Sequence, residues 1–351
     1  MSKPKTGDFL DTKGKGVLLY HTDLDGICSA AMLLRFYPDL KPVPREGPIS
    51  DDRFIKSLIS YRPDLVVIVD LPLDQEWKKL DRLQHESPET RIVLIDHHVI
   101  TKDMNSDRVI HINPRFRSNA YIATSSLVYN LLKEVGKPVQ PLVWIAAIGV
   151  IGDYAFEDCR ELLKECAKLY PELGKDLAKS ALGSISQLLM SAVILDGTTG
   201  VEKGLDILLK ASGYRTLQQS KYLTESNKKV SKEIDRITKD FKKKAREYPE
   251  LDLYIYTISS KLNIVSTIST MTAAKNPDKM ILIIRQEKQY VKVSARYQAG
   301  DVNLNDLIKF AVDGIGSGGG HEKAAGAVVN RKDWPEFKKR LMQKLTELKA
   351  R

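Results

Sequence analysis

The chain has 351 residues, of which 42% are hydrophobic and 28% charged, a composition typical of folded globular proteins. Since a domain averages about 150 residues, the length predicts two domains. No apolar run approaches the roughly 20 residues of a membrane span, and the polar start lacks the apolar core of a signal peptide. We therefore expect a cytoplasmic protein with no membrane partner. The three cysteines form no C-x-x-C pair, which argues against a disulfide framework or a zinc ribbon.

The net charge of +10 comes from two segments of the chain. Residues 220–247 hold ten basic and five acidic side chains, and residues 331–351 hold eight basic and three acidic ones. Two interpretations stay open for these segments. They are either solvated helix faces or a surface for a polyanion, above all nucleic acid.

Three short apolar runs occupy the first hundred residues, and acidic or histidine side chains follow each of them. GVLLY leads to His21, LVVIVD ends at Asp70, and RIVLID ends at Asp96. The helix-like stretches GICSAAMLLRF and DQEWKKLDRLQ separate these runs. This alternation predicts an α/β domain with a doubly wound parallel sheet that is covered on both faces. In such sheets ligands bind at the carboxyl ends of the strands, where these side chains lie.

The rest of the chain predicts further elements and a second domain. The strand RVIHIN and two helices follow, and the second helix, LVWIAAIGVIGDY, is apolar nearly all round and reaches Asp153. Apolar positions at helical spacing within 221–247 predict a long helix. The runs LDLYIYTI, MILIIRQ and YVKVSARY then predict strands of a smaller α/β domain.

The residues at the ends of the apolar elements combine hard oxygen donors with imidazoles. They are His21, Asp23, Asp25, Asp70, Asp96, His97, His98 and Asp153. Such donors suit Mn²⁺ or Mg²⁺, and so many acids in one crevice need multivalent cations. Two metals fit better than one, and two-metal sites serve in-line displacement at phosphorus. Taken alone, Asp70 or Asp153 would be read as a helix cap or turn former, whereas HTDLDG and DHH are stronger signals.

These motifs resemble those of the DHH phosphoesterase superfamily, which is named for Asp96-His97-His98. HTDLDG resembles its first motif, the Asp70 strand its second, IDHH its third and GVIGDY its fourth. GSGGGHEKAAGA is similar to the glycine-rich motif of the accompanying DHHA1 domain. The resemblance implies a DHH domain over residues 1–200, a helical connector over 201–250 and a DHHA1 domain over 251–351.

The resemblance also implies roles for the candidate residues. One Mn²⁺ would be held by His21, Asp23 and Asp70, and a second by Asp25, Asp70, His97 and Asp153, with Mg²⁺ as the alternative metal. Asp96 would orient a histidine, and His98 would contact the scissile phosphate. The spacing alone does not separate the role of His97 from that of His98.

A second candidate site lies in the DHHA1-like segment. The glycines Gly318, Gly319 and Gly320 allow the backbone to approach a ligand closely and to direct N–H groups at an anion, with His321 as a further donor. The alternative is a simple glycine-rich turn between two elements. Arg296, on a strand before this run, would bind a phosphate or terminal nucleotide. Arg115 and Arg117 in NPRFRSN are interpreted as solvated.

Within the superfamily the chain resembles RecJ-like nucleases, especially the short archaeal ones that include the Hef-associated nuclease type. This implies a Mn²⁺-dependent exonuclease of single-stranded nucleic acid, DNA before RNA, in repair or replication, with a helicase or repair protein as partner. One alternative is an enzyme of short substrates: a nanoRNase, a pAp phosphatase or a cyclic-dinucleotide phosphodiesterase. The other is a non-catalytic scaffold of a replication-helicase complex, which the full set of expected ligands disfavours.

Overall fold

The computed structural model of the chain describes residues 7, 10, 11, 14–47, 52–298 and 302–349. The chain divides into two compact units, Met1–Asn227 and Lys228–Arg351. The domain boundaries predicted from the sequence at residues 200 and 250 stay predictions. Of the helices that the structure describes, none has both the length and the apolar character that a membrane span requires.

The first unit is built on a five-stranded sheet in which every pairing is parallel. Its strands are β1 (Gly16–His21), β2 (Leu40–Arg45), β3 (Leu65–Val69), β4 (Arg91–Ile95) and β5 (Val109–Ile112). They lie in the order β2-β1-β3-β4-β5. The order reverses between β1 and β3, and doubly wound sheets bind ligands at this switch point.

Helices cover both faces of this sheet, as the unbroken apolar runs of its strands predict. They are α1 (Leu24–Phe36), α2 (Asp52–Tyr61), α3 (Trp77–Glu86), α4 (Thr124–Glu134), α5 (Val143–Gly152), α6 (Arg160–Leu169), α7 (Ala181–Asp196), α8 (Thr198–Lys210) and α9 (Tyr214–Gln218). Every residue of α5 from Val143 to Ile151 is buried, as expected for a helix that is apolar all round. The predicted fold class is confirmed.

Strand β2 was not predicted, because LKPVPR has no apolar run and contains Pro42 and Pro44. It pairs with β1 alone and forms an edge of the sheet. Proline is tolerated at an edge, where one side of the strand needs no N–H donors.

The predicted long helix is α10 (Lys221–Lys244). Val230, Ile237 and Phe241 are buried along one stripe of it. In the second unit the Phe241 ring packs against those of Tyr254 and Tyr256, each with its centroid at 5.5 Å.

The second unit is built on a six-stranded mixed sheet. Its strands are β6 (Arg246–Tyr248), β7 (Leu253–Ile258), β8 (Met280–Gln286), β9 (Tyr290–Arg296), β10 (Gly316–His321) and β11 (Ala324–Asn330). They lie in the order β10-β11-β9-β8-β7-β6, with β7 and β8 parallel and the other pairs antiparallel. The helices are α11 (Val265–Lys275), α12 (Leu304–Val312) and α13 (Trp334–Lys349).

Candidate metal centre

The eight residues predicted from the ends of apolar elements converge at the carboxyl edge of the first sheet. His21 is the last residue of β1, Asp70 directly follows β3, and Asp96 directly follows β4. Three groups of donor residues result, and within each group the donor atoms lie within 4.8 Å of one another. The groups are His21, Asp23 and Asp70; Asp25, His97 and Asp153; and Asp70, His97 and His98. Asp70 and His97 each belong to two of these groups.

The two carboxylates of the HTDLDG motif are separated by the start of helix α1. Asp23 caps this helix, and its Oδ1 accepts a hydrogen bond of 3.0 Å from the Gly26 amide. Asp25 lies in the first turn of the helix and is buried. Its two oxygens accept hydrogen bonds from the amides of Thr124 (2.6 Å) and Ser125 (2.9 Å), in the first turn of α4. The partial positive charge of that helix terminus stabilises the buried carboxylate.

Asp70 lies at the centre of the cluster and has an unusual backbone. Its φ of 59° falls in the left-handed region, which non-glycine residues rarely adopt and which is enriched at functional sites. Its Oδ2 lies 3.4 Å from His21 Nδ1, which in turn lies 2.8 Å from Asp23 Oδ2. In this conformation the buried carboxylate lies between His21, at the end of β1, and His97, which follows β4.

The structure places the two adjacent histidines in different surroundings, which the sequence spacing does not distinguish. His97 is buried, with Nε2 3.5 Å from Asp70 Oδ1 and Nδ1 3.6 Å from Asp153 Oδ2. His98 is 37% exposed at its side chain, and its Nδ1 contacts Asp96 Oδ1 at 2.8 Å. Asp96 therefore orients His98, while His97 lies among the carboxylates.

The cluster collects negative charge in a buried space. Burial and the charges of Asp23 and Asp25 raise the pKa of Asp70 well above its ordinary value. Burial and the charge of Asp25 raise the pKa of Asp153 to about 8, and burial and Asp23 raise that of Asp25 to about 6. A positive charge among these carboxylates would therefore favour their full ionisation.

The donor set fits divalent cations such as Mn²⁺ and Mg²⁺. It consists of carboxylate oxygens and imidazole nitrogens, the ligands that these hard and borderline cations prefer. His97 Nδ1 and Asp153 Oδ2 are both buried and, among the described residues, neither has a hydrogen-bond partner. A cation between them would satisfy both atoms at once.

The second unit contains a cleft that is lined by some of the residues predicted to bind substrate. This cleft, of about 490 Å³, is lined by Arg296, Lys292, Gly318 and Gly319, among others. No acidic residue belongs to the described lining, so the cleft favours an anion. The Arg296 guanidinium donates hydrogen bonds to the hydroxyls of Ser266 (2.9 Å) and Thr270 (3.2 Å), which hold it in place.

The glycine-rich run is a strand and not the simple turn considered as the alternative. Residues 316–321 form β10, the edge strand that pairs with β11. Glycine has low strand propensity, so the pattern did not indicate a strand. The close pairing of β10 with β11 requires glycine, since a Cβ at Gly318 would lie 2.8 Å from the Gly326 carbonyl oxygen. Gly320 and His321 follow on the same strand outside the cleft lining, and the Gly320 amide donates to Asn305 Oδ1 at 3.1 Å.

Two family models match the chain. Residues 17–152 match the DHH family, N-terminal domain, and residues 254–347 match the DHHA1 domain. The chain belongs to the DHH phosphoesterase superfamily. Hydrolases of this superfamily are metal-dependent phosphoesterases, and the donor groups of this DHH chain fit that chemistry. A comparison with curated proteins found no match.

Solved structures share the fold of this DHH chain. RecJ of Thermus thermophilus in complex with Mn²⁺ is 16% identical with a TM-score of 0.73, and the match covers 98% of this chain and 55% of that one. The chain thus spans about half the length of that RecJ, which has also been solved with Mg²⁺. An exonuclease RecJ bound to manganese is 18% identical, with a TM-score of 0.69 and coverage of 96% and 91%. A pGpG-specific phosphodiesterase from Vibrio cholerae is 14% identical, with a TM-score of 0.55 and coverage of 95% and 99%.

These comparisons confirm the predicted superfamily and the RecJ-like fold. The predicted archaeal subtype stays a prediction. At such identities the structural likeness establishes the fold of the DHH chain and leaves its substrate to be inferred from its own residues.

Sequence reasoning missed several residues that support the DHH cluster. The amides of Thr124 and Ser125 hold Asp25, although only the start of a helix marked them in sequence. The ring of Tyr121 lies 4.9 Å from that of His97. Arg115, interpreted as solvated, is partly buried and its Nε donates to the His97 carbonyl at 2.8 Å. Arg117 is exposed, as expected.

Proposed function

We propose that the protein is a Mn²⁺-dependent exonuclease that hydrolyses single-stranded nucleic acid, DNA in preference to RNA, to nucleoside 5′-monophosphates. Its setting would be DNA repair or replication, with a helicase or repair protein as partner. The observation that carries the proposal is the convergence of three donor groups that share Asp70 and His97. The likeness to an exonuclease RecJ bound to manganese and to a RecJ in complex with Mn²⁺ supports the choice of an exonuclease and of this metal.

The residues that would hold two cations follow from these groups. His21 and Asp23 would hold one ion and Asp25, His97 and Asp153 the other, with Asp70 shared by both. When bound, such ions lower the pKa of a water and offset the negative charge of a phosphoryl group. Ionised carboxylates would then be favoured throughout the cluster, although burial raises the pKa of several.

His98 is suited to bind the scissile phosphate. Its Nδ1 is directed at the buried Asp96 carboxylate, which leaves Nε2 as the ring atom for a ligand. The Asp96 contact fixes the orientation of the ring. When Nε2 carries a proton, it can donate to a phosphate oxygen and stabilise the negative charge that develops in the transition state.

The cleft of the second unit would bind the phosphate or terminal nucleotide of the strand. Lys292 and Arg296 supply positive charge, and Gly318 and Gly319 let a ligand approach the backbone of β10. The basic surplus of residues 220–247 and 331–351 would add sequence-independent attraction for phosphates. On this basis we assign substrate binding to Arg296, Gly318 and Gly319. Gly320 and His321 lie outside the cleft lining and stay candidates from the sequence alone.

An enzyme of short substrates is the second candidate. The likeness to a pGpG-specific phosphodiesterase favours it. Such an enzyme encloses its whole substrate, so its activity would fall as the oligomer lengthens. A non-catalytic scaffold is disfavoured, because nothing would then retain so many buried acids in one cluster.

Digestion of end-labelled strands tests the proposal. Single strands of DNA and of RNA, from 2 to about 30 nucleotides and labelled at either end, are incubated with Mn²⁺. We expect nucleoside 5′-monophosphates from long DNA strands, released from one end. Activity confined to dinucleotides would favour the second candidate, and an absence of hydrolysis at every length would overturn both enzymes. The polarity of digestion is read from the same gels.

A further inference from the structure

The residue that follows Asp153 is an exposed aromatic in an unfavourable backbone conformation. Tyr154 is 71% exposed, and its φ of 56° lies in the left-handed region. L side chains rarely adopt that region, whereas glycine adopts it readily. A large apolar ring is therefore kept in solvent at a position where glycine would be better tolerated. Strained residues of this kind cluster at ligand-binding positions.

Most exposed large apolar side chains of the first unit lie next in sequence to residues of the metal centre or to a residue bonded to it. Among its described residues, four large hydrophobic side chains are exposed: Val99, Phe116, Tyr154 and Leu169. Val99 follows His98, and Tyr154 follows Asp153. Phe116 follows Arg115, whose guanidinium donates to the His97 carbonyl. Three of the four thus directly follow a residue of the cluster or Arg115 along the chain, which favours an apolar surface beside it.

Of these three, Tyr154 has the surface that a planar ligand needs. The ring of Phe116 is 39% exposed and lies edge-on to His111 at 4.9 Å. The Tyr154 ring packs against Phe156 at 6.2 Å, with the two planes at 82°, and most of its surface meets solvent. A nucleotide whose phosphate lies at the metal centre carries a planar base within a few ångströms of it.

We propose that the Tyr154 ring stacks on the base of the nucleotide that is released. This inference rests on the proposed function and adds a preference to it: the enzyme binds a strand more tightly when its terminal nucleotide carries a base. Every base has a π face, so stacking on a tyrosine accepts all four. Tyr154 is a positioning residue, since it would bind the base and not the reacting atoms.

The test compares strands with an ordinary and with an abasic terminal nucleotide, at the end from which digestion proceeds. For the wild type we expect a KM about tenfold lower on the ordinary strand, because stacking on an aromatic side chain stabilises a bound base. In Tyr154→Ala this difference disappears through a higher KM on the ordinary strand, and kcat stays similar. Tyr154→Phe keeps the difference. The control Phe310→Ala removes another exposed aromatic, on α12 of the second unit, and keeps wild-type values.

Tyr154→Gly separates stacking from a purely structural role. This variant removes the ring and also relieves the strained φ, so we expect a melting temperature no lower than that of the wild type. If the ring acts by stacking, the KM of Tyr154→Gly is raised as in Tyr154→Ala. Mn²⁺ binding by calorimetry stays unchanged in all three variants. The stacking role is overturned if Tyr154→Ala slows both strands equally or changes neither, even though the wild type digests them. A wild type that digests neither strand overturns the proposed function, and the stacking role with it.

Discussion

At the scale of single residues, Asp70 is the position on which the cluster depends most. It is buried, it belongs to two donor groups, and its backbone is strained. In the proposed site this carboxylate would be shared by two cations, so the loss of its charge would affect both.

We predict that Asp70→Ala reduces hydrolysis below about a tenth of the wild-type rate, because both cations lose a ligand. Asp70→Asn removes only the negative charge and keeps the backbone conformation, since asparagine tolerates a positive φ better than most residues. Calorimetry with Mn²⁺ and cleavage assays measure both variants.

The matched control is Asp74→Asn. Asp74 is also buried, but its carboxylate accepts from the amides of Thr101 and Lys102 and belongs to none of the three donor groups. We expect this variant to keep Mn²⁺ binding. Full activity in Asp70→Ala would contradict the shared role of Asp70.

The raised carboxyl pKa values predict how pH affects the metal-free protein. Burial raises the pKa of Asp153 to about 8 and that of Asp70 well above its ordinary value, so folding favours their protonated forms. His21, although burial opposes it, also has a raised pKa because of Asp23. The stability that these groups contribute is present at low pH and is lost as pH rises through their folded pKa values.

We therefore expect the melting temperature of chelator-treated protein to fall from about pH 6.5 to about pH 9. In excess Mn²⁺ the fall should be smaller, because the cation favours the ionised carboxylates. Thermal melts with and without Mn²⁺ across this range measure the difference. A chelated protein that gains stability with rising pH would contradict the assignment.

At the scale of elements, the sequence predicted the parts whose pattern is dictated by burial. Strands β1, β3, β4 and β5 are apolar because the sheet is covered on both faces, and α5 is apolar because it is buried all round. Strand β2 and helices α2, α6, α7, α8 and α9 were missed. An edge strand with two prolines needs no apolar run, and α2 buries only Ile55 and Leu58.

The glycine-rich run shows a different limit of sequence reasoning. Pairing through the backbone alone forms β10, so side-chain pattern carries no information about it. The same limit applies to the amides that hold Asp25. They come from a helix terminus about a hundred residues away in sequence, and only the fold brings them close.

Helix α5 is predicted to position Asp25 through Gly149. A Cβ at this position would lie 2.9 Å from Asp25 Oδ1 and still closer to the Ser125 hydroxyl. Gly149→Ala should therefore displace Asp25 and weaken Mn²⁺ binding and hydrolysis about tenfold or more, by analogy with other residues that support metal ligands.

The control for this prediction is Gly204→Ala on helix α8. A Cβ there would meet Leu189 at an ordinary distance of 3.5 Å. This variant should keep its activity and gain up to about 1 kcal/mol of stability, since alanine is the better helix former. Equal Mn²⁺ affinity in the two variants would show that Gly149 has no part in positioning Asp25.

At the scale of the whole molecule, the convergence of the candidate residues was predictable and their pairing was not. The carboxyl ends of parallel strands meet at one edge, so His21, Asp70 and Asp96 had to lie near one another. Which histidine lies among the carboxylates depends on the backbone path after Asp96, which spacing does not encode.

The basic surplus predicts salt-dependent binding of long strands. Lys242 and Lys243 are exposed at the end of α10, whereas Lys244 pairs with Asp240 at 2.5 Å. Lys242→Glu with Lys243→Glu should weaken binding of long strands and lower the salt dependence, by about 0.7 in the log–log slope for each phosphate that the variant no longer binds. Cleavage of dinucleotides should change little.

The control pair is Lys164→Glu with Lys168→Glu, which makes the same charge change on exposed positions of α6. Binding measured from about 50 to 300 mM salt compares the two pairs. Equal weakening in both would indicate that only net charge matters and that the α10 surface binds no phosphate directly.

The prolines of strand β2 have a consequence for how copies of this protein behave in a crowded cell. The Thr22 amide donates to the Arg45 carbonyl, so residues 41, 43 and 45 face β1 and the two prolines face outward. Pro42 and Pro44 have no amide hydrogen to offer on that side, so a strand from another copy could not continue the sheet. The edge is thereby protected against self-association, and replacing both prolines with valine would expose it to aggregation at high protein concentration.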